Sequence, residues 1–139
     1  MRVVGTLALL SFFVSSGCSS ADGYRQYKEL ENIAKKGDAV YRHYKTSDHA
    51  TAKSALLNYI TDLDELLKTN HPEDFALQLD VVVSYVRLAK LEESKDVAEH
   101  EKFMTKAVER CGLMKTKQEN CSAAKLREIV DIMDRVKPK

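Results

Sequence analysis

Residues 72–93 read PEDFALQLDVVVSYVRLAKLEE, and this stretch decides the fold class. Its apolar side chains recur at helical spacing in two adjacent stripes, one through Phe75, Leu79, Val82, Val86 and Ala89, the other through Leu77, Val81, Tyr85 and Leu88. A helix with so wide an apolar surface needs neighbours on both sides, which makes this the expected central helix. Pro72 suits a first helical turn, where its missing N–H costs nothing, and Glu73 and Asp74 suit the same end through the helix dipole. The run Val81-Val82-Val83 would also suit a strand. Its helical flanks and the absence of turn residues around it argue for helix.

Working outward, the same period holds on both sides. A first helix is expected from Tyr24 to about Tyr44, on a stripe that includes Tyr27, Leu30, Ile33, Ala34, Val40, Tyr41 and Tyr44, with Gly37-Asp38 as a point where it could break or kink. Thr46-Ser47-Asp48 offers N-cap oxygens for a second helix ending near Lys68, with Ala52, Leu56, Tyr59, Ile60, Leu63, Leu66 and Leu67 aligned. A fourth runs from about Asp96 to Cys111 on Val97, Met104, Ala107, Val108 and Cys111, with Gly112 as its C-cap. A fifth begins after Asn120 or Ser122, buries Leu126, Ile129, Val130, Met133 and Val136, and stops before Pro138. The expected fold is therefore all-α, about five antiparallel helices over residues 24–139.

Composition agrees. The 139 residues include 22 Lys and Arg against 21 Asp and Glu, 44% apolar residues, 5 Gly, 2 Pro and no Trp. That balance excludes collagen-like, Pro/Gly-rich disordered and strongly basic nucleic-acid-binding chains. It also disfavours an all-β sandwich, which needs frequent turn residues.

The first twenty residues, MRVVGTLALLSFFVSSGCSS, have the layout of a secretory signal. A positive start at Arg2 precedes a short apolar middle from Val3 to Val14, and small residues follow. The apolar run is shorter than the ~20 residues that a spanning helix needs. An uncleaved anchor stays open, because Val3 to Ala21 carries no charge. Ser15-Ser16-Gly17-Cys18 resembles a bacterial lipobox, with Gly17, Cys18 and the small Ser16 matching and Val14 one place before the usual Leu or Val. The resemblance implies a signal peptide at 1–17 and cleavage on the amino side of Cys18. Cys18 would then be an acylated, palmitate-bearing first residue on a tether at 18–23. Ser19 in place of Asp implies sorting to the outer membrane, facing the periplasm. Ordinary secretion, with cleavage after Ser19-Ser20-Ala21, is the alternative. Removing Arg2 leaves equal numbers of basic and acidic residues, so net charge names no partner.

With Cys18 lipidated, Cys111 and Cys121 remain as an even pair in an oxidising compartment. One disulfide between them is expected to staple the last two helices at their joining loop, with two free thiols as the alternative. Two cysteines at this spacing with no His pair do not complete a zinc site, and no metal or cofactor is expected. No phosphate loop or nucleophile elbow occurs. His43, His49, His71 and His100 show no i, i+4 pair, and at the second His of a metalloprotease pattern begun by His100-Glu101 stands Met104. Asp62, Asp64 and Glu65 read as a solvated face, and so does the basic group Lys35, Lys36, Arg42, His43 and Lys45, which could also touch anionic headgroups. No nucleophile–base constellation is present, so an enzyme is not expected.

Residues Ser84 to Cys111 resemble a tetratricopeptide helix pair through Leu88 and Leu91, the turn Glu93-Ser94-Lys95-Asp96, and Met104 and Ala107. His100 stands where that pattern wants Ala, Arg87 at a usual Leu, and Lys95 at the turn Gly. A plain helical bundle needs the same spacing. The resemblance implies α-hairpins and a role as scaffold or assembly adaptor, a membrane-tethered protein binding another envelope protein. Small helical lipoproteins stapled by a disulfide also resemble pilotin-like chaperones of secretion channels, and immunity-type inhibitors of toxins are a third binding role. Tyr24 and Tyr27, and Tyr41 and Tyr44, pair at i, i+3. These four are the candidate partner-binding residues, with exposed parts of the Phe75–Val86 helix beside them. Core packing is the competing role for tyrosines at such spacing.

Overall fold

The computed structural model describes residues 20–136, and all of its long elements are helices. Cys18 and the expected signal segment lie outside the described residues. The order is α1 (Ser20–Thr46), α2 (His49–Thr69), α3 (Phe75–Glu92), α4 (Val97–Leu113), a short 3₁₀ turn (Gln118–Cys121) and α5 (Ala123–Arg135). Four helices start at an Asp or Ser whose side chain accepts from a backbone N–H three residues on. Asp48 accepts from Thr51, Asp74 from Leu77, Asp96 from Glu99 and Ser122 from Lys125. Each cap satisfies a donor that the first turn leaves open.

Several boundaries depart from the sequence pattern for local reasons. Helix α1 begins at Ser20, so most of the segment expected as a tether is helical. It also runs through Gly37 without a break. Pro72 lies in the loop, because Asp74 caps α3 two residues later. Gly112 lies inside α4, which ends on Leu113, and its φ is not positive, so it does not act as a left-handed C-cap. The 3₁₀ turn before α5 has no counterpart in the apolar period.

Helix α3 is the centre of the molecule, as its two stripes require. Val81, Val82, Val83, Val86, Leu88 and Ala89 are all buried. Its most extensive interface is with α4, the next with α2, and α5 packs across α3 and α4. Side chains link alternate helices as well. Arg87 of α3 reaches Tyr41 and Tyr44 of α1 and Asp134 of α5. Lys53 of α2 meets Glu99 of α4, and Asp64 of α2 meets Arg110 of α4. The helices therefore form two tiers, α1, α3 and α5 in one and α2 and α4 in the other. Cys111 and Cys121 stand at disulfide distance, with Cα atoms 5.5 Å apart, and tie the end of α4 to the turn that leads into α5.

Some expected core positions are not core. Tyr27, Phe75, Val97 and Val136 are exposed because each lies near a helix end, and Met133 is exposed on the side of α5 away from the contacts that Asp134 makes with α1 and α3. All residues from Ala21 to Lys28 are exposed. Glu29 is the first to meet another helix, through Asn70 at 2.9 Å. At 1.5 Å per residue, α1 extends about 12 Å past the body.

Candidate functional site

Between α1 and α3 the upper tier opens into a hollow of about 290 Å³. Its walls follow from helical spacing. Helix α1 contributes Ala34, Gly37, Asp38 and Tyr41, at i, i+3, i+4 and i+7, and α3 contributes Asp80, Ser84 and Arg87, at i, i+4 and i+7. Tyr59 rises from α2 in the other tier and lines the same space. Its hydroxyl donates to Asp80 Oδ2 at 2.9 Å. A Cβ on Gly37 would stand 2.6 Å from that hydroxyl oxygen and 3.1 Å from Cζ. Glycine at 37 is therefore what lets α1 pass over the ring of Tyr59.

The electrostatics of this hollow are uneven. Arg87 donates to Asp134 Oδ1 from Nε at 3.1 Å and from Nη2 at 2.8 Å. The faces of Tyr41 and Tyr44 lie 4.6 Å and 5.5 Å from its guanidinium carbon. Lys90 sits at 2.6 Å from Asp131 and 3.3 Å from Asp134. These charges answer one another and dock α5. Across the hollow, Asp38 and Asp80 form no ion pair with any basic side chain among the described residues. Burial raises the Asp80 carboxyl above its usual range, against the lowering effects of the Tyr59 hydrogen bond and the Arg87 charge. Burial, then the Asp80 charge, drives the Tyr59 phenol well above its ordinary value.

The four candidate tyrosines separate into two pairs. Tyr41 and Tyr44 are half-buried, with ring centroids 6.4 Å apart, and serve the Arg87 joint. The Tyr41 hydroxyl also donates to the Asp134 carbonyl at 3.3 Å. Tyr24 and Tyr27 are 64% and 62% exposed on the projecting part of α1, with Lys28 Nζ 5.8 Å from the Tyr24 ring centre. Cys111 and Cys121 are buried and paired. Of the acidic group expected on a solvated face, Glu65 is exposed, whereas Asp62 and Asp64 clamp helices together. Asp62 pairs with Lys36 of α1, and Asp64 pairs with Arg110 of α4 at 2.5 Å. Of the basic group, Lys35 pairs with Glu31, and Arg42 and Lys45 are exposed.

Asp80, Ser84 and Tyr59 were not singled out for a site from the sequence, although a signal existed. Asp80, Ser84 and Arg87 draw a polar line at i, i+4, i+7 through a helix rich in Val, Leu and Ala. A second polar cluster lies at the far end of the bundle. The Glu92 side chain is 3% exposed, with Lys53 Nζ at 2.6 Å and His49 Nε2 at 3.2 Å. His100 Nδ1 lies 2.8 Å from the Ala89 carbonyl. Among the described residues no group of three or more His, Cys, Asp or Glu is placed to hold a metal ion, and no helix is long and apolar enough to cross a membrane. Comparison with protein-family models, curated proteins and solved structures finds no match for the chain.

Proposed function

We propose that this protein is a lipid-anchored adaptor of the bacterial envelope, a non-enzymatic domain held at the outer membrane by Cys18. It engages an envelope protein through the α1–α3–α5 tier. The observation that carries this is the hollow in that tier. Its walls are preformed on three packed helices, and its two carboxylates, Asp38 and Asp80, form no ion pair among the described residues, Asp80 accepting only the Tyr59 hydroxyl. A rigid surface with unanswered charge favours recognition of a complementary group, because little ordering is left for binding to cost. The two-tier alternation of helices supports the tetratricopeptide-like resemblance, in which one tier forms a binding face. Helix α1 supports the anchor. It starts at Ser20, two residues after Cys18, and its first turns stand clear of the body. Lipid at Cys18 would thus hold the domain on a stiff helical post, with Tyr24 and Tyr27 as a second contact surface beside the membrane.

The test is made in cells, with the full chain and a Cys18→Ser variant, a lipid analogue as label, and a photoreactive residue at one of two places. One replaces Ala34 on the wall of the hollow, the other replaces Lys102 on the exposed side of α4. Label and membrane location are expected only with Cys18, and one envelope protein is expected to be captured from position 34 and not from 102. An unlabelled, soluble full chain defeats the anchor. Equal capture from both positions defeats the choice of face.

A further inference from the structure

The hollow between α1 and α3 also has a chemical preference. Ser84 lines it, is 2% exposed, and forms no hydrogen bond through its hydroxyl among the described residues. Asp80 meets Tyr59 alone, and Asp38 stands on the exposed rim. The nearby cation, Arg87, is held by Asp134 and by the two tyrosine faces. Three acceptors, two of them carboxylates, therefore line a space that the described residues leave open. Buried polar groups are ordinarily satisfied, and a half-buried carboxylate is favoured by a cation that can reach it. Each of these groups gains when an N–H donor bearing positive charge enters.

We propose that this hollow seats a lysine or arginine side chain of the partner protein, its cationic head received by Asp38, Asp80 and Ser84. The assignment rests on the adaptor function and deepens it by naming the chemistry of the contact. Size agrees with it. About 290 Å³ admits one long side chain and not a folded segment. The wall itself suits an aliphatic stem, since Ala34, Gly37 and the rings of Tyr41 and Tyr59 supply apolar surface along which the methylenes of a basic side chain can lie.

The experiment is a ¹⁵N–¹H titration of the folded protein with four probes. They are N-acetyl-lysine amide, N-acetyl-norleucine amide, N-acetyl-glutamate amide and a short extended peptide with one central lysine. Saturable shifts are expected around residues 34–41, 59 and 80–87 with the lysine probes only, with the peptide binding more tightly than the single residue. Asp80→Asn is expected to weaken lysine binding about tenfold or more, as loss of a charge-assisted hydrogen bond does. Its thermal melt establishes that it folds. Asp38→Asn, at an exposed position that packing does not depend on, is expected to weaken binding in the same direction, and Glu73→Gln to leave it unchanged. Non-saturating shifts spread over surface carboxylates, or equal binding by Asp80→Asn, would overturn the proposal. A single amine bound as tightly as the peptide would overturn the assignment to a protein side chain. If position 34 still captures a partner in cells when the lysine probes fail, the adaptor stands and the cationic contact falls.

Discussion

Gly37→Ala is the perturbation that probes the seating of α1 most directly. In an open helical position this change stabilises by about 1 kcal/mol, because alanine is the better helix former. At Gly37 the added Cβ would fall 2.6 Å from the Tyr59 hydroxyl and 3.1 Å from Cζ, so the ring must shift. Tyr59 is a buried side chain whose hydroxyl donates to Asp80. Displacing it forfeits a hydrogen bond to a carboxylate, ~1.5–3 kcal/mol, and adds overpacking of ~1–3 kcal/mol. Set against the helical gain, the net is a loss of ~1.5–5 kcal/mol, about 3 at mid-range. For a domain of this size that lowers the melting temperature by ~12 °C. Tyr59→Phe removes the nearer of the two close atoms and leaves Cζ, 3.1 Å from the added Cβ. In that background Gly37→Ala should cost clearly less than it does with Tyr, giving a coupling of ~2 kcal/mol between positions 37 and 59. Gly112 supplies the control. It too lies inside a helix, but nothing stands within 4 Å of its Cβ direction, so Gly112→Ala should stabilise, by up to ~1 kcal/mol. Urea and thermal melts followed by circular dichroism read the parent and all four variants. A Gly37→Ala protein that melts higher than the parent, or an equal effect with Tyr and Phe at 59, would refute the close approach of α1 to α2.

Three further outcomes follow from the same geometry. Reducing the Cys111–Cys121 pair, or Cys111→Ser with Cys121→Ser, should cost about 2.8 kcal/mol on the chain-entropy account of a closed loop of about 11 residues, and thermal melts with and without reductant measure it. Arg87→Met should cost about 3 kcal/mol, since it leaves the Asp134 carboxylate, 7% exposed, with Lys90 alone, and amide exchange should rise first in α5. The pH dependence has opposite signs at two carboxylates. Asp80, raised by burial, contributes stability that is full below its unfolded value of 3.8 and lost as pH rises through the folded one, so Asp80→Asn should gain on the parent as pH rises above 3.8. Glu31, held down to about 2 by Lys35 and Lys28, contributes stability that is present above 4.5 and lost as pH falls toward 2, so Glu31→Gln should approach the parent in that lower range.

What could be seen in the sequence was whatever repeats along a helix. The central position of α3 was visible because two apolar stripes on one helix demand two neighbours, and the caps at Asp48 and Ser122 were visible because side-chain oxygens at helix starts are local chemistry. The cysteine pair needed only the count of remaining thiols. What failed was anything set by which helix lies alongside. Tyr27, Val97 and Val136 fit the apolar period but fall where no partner reaches, and period alone cannot see the length of a neighbour. Gly37 looked like a breaker because glycine weakens an isolated helix. Its reason is the ring of Tyr59, twenty-two residues away in the chain. The same holds for Asp62 and Asp64, whose cations come from two other helices.

Arg87 shows how a departure from a pattern carries structural information. Leucine at that position, as in a tetratricopeptide pair, would extend the apolar face of α3 toward α1 and α5 and close the tier by packing. Arginine cannot be buried there unless its charge is met. Asp134 on α5 meets it, Tyr41 and Tyr44 on α1 cover it, and Lys90 takes up the remaining oxygen of Asp134. The polar joint spans the distance that leucine would have collapsed, and the space it keeps open is the hollow with Asp38, Asp80 and Ser84 on its walls. One charged residue in the apolar face of α3 thus docks α5 and lines the hollow proposed as the recognition site. Arg87→Leu would remove both. It would draw α1 and α3 together and leave Asp134 to Lys90, and lysine binding would be lost in a protein that still folds into helices.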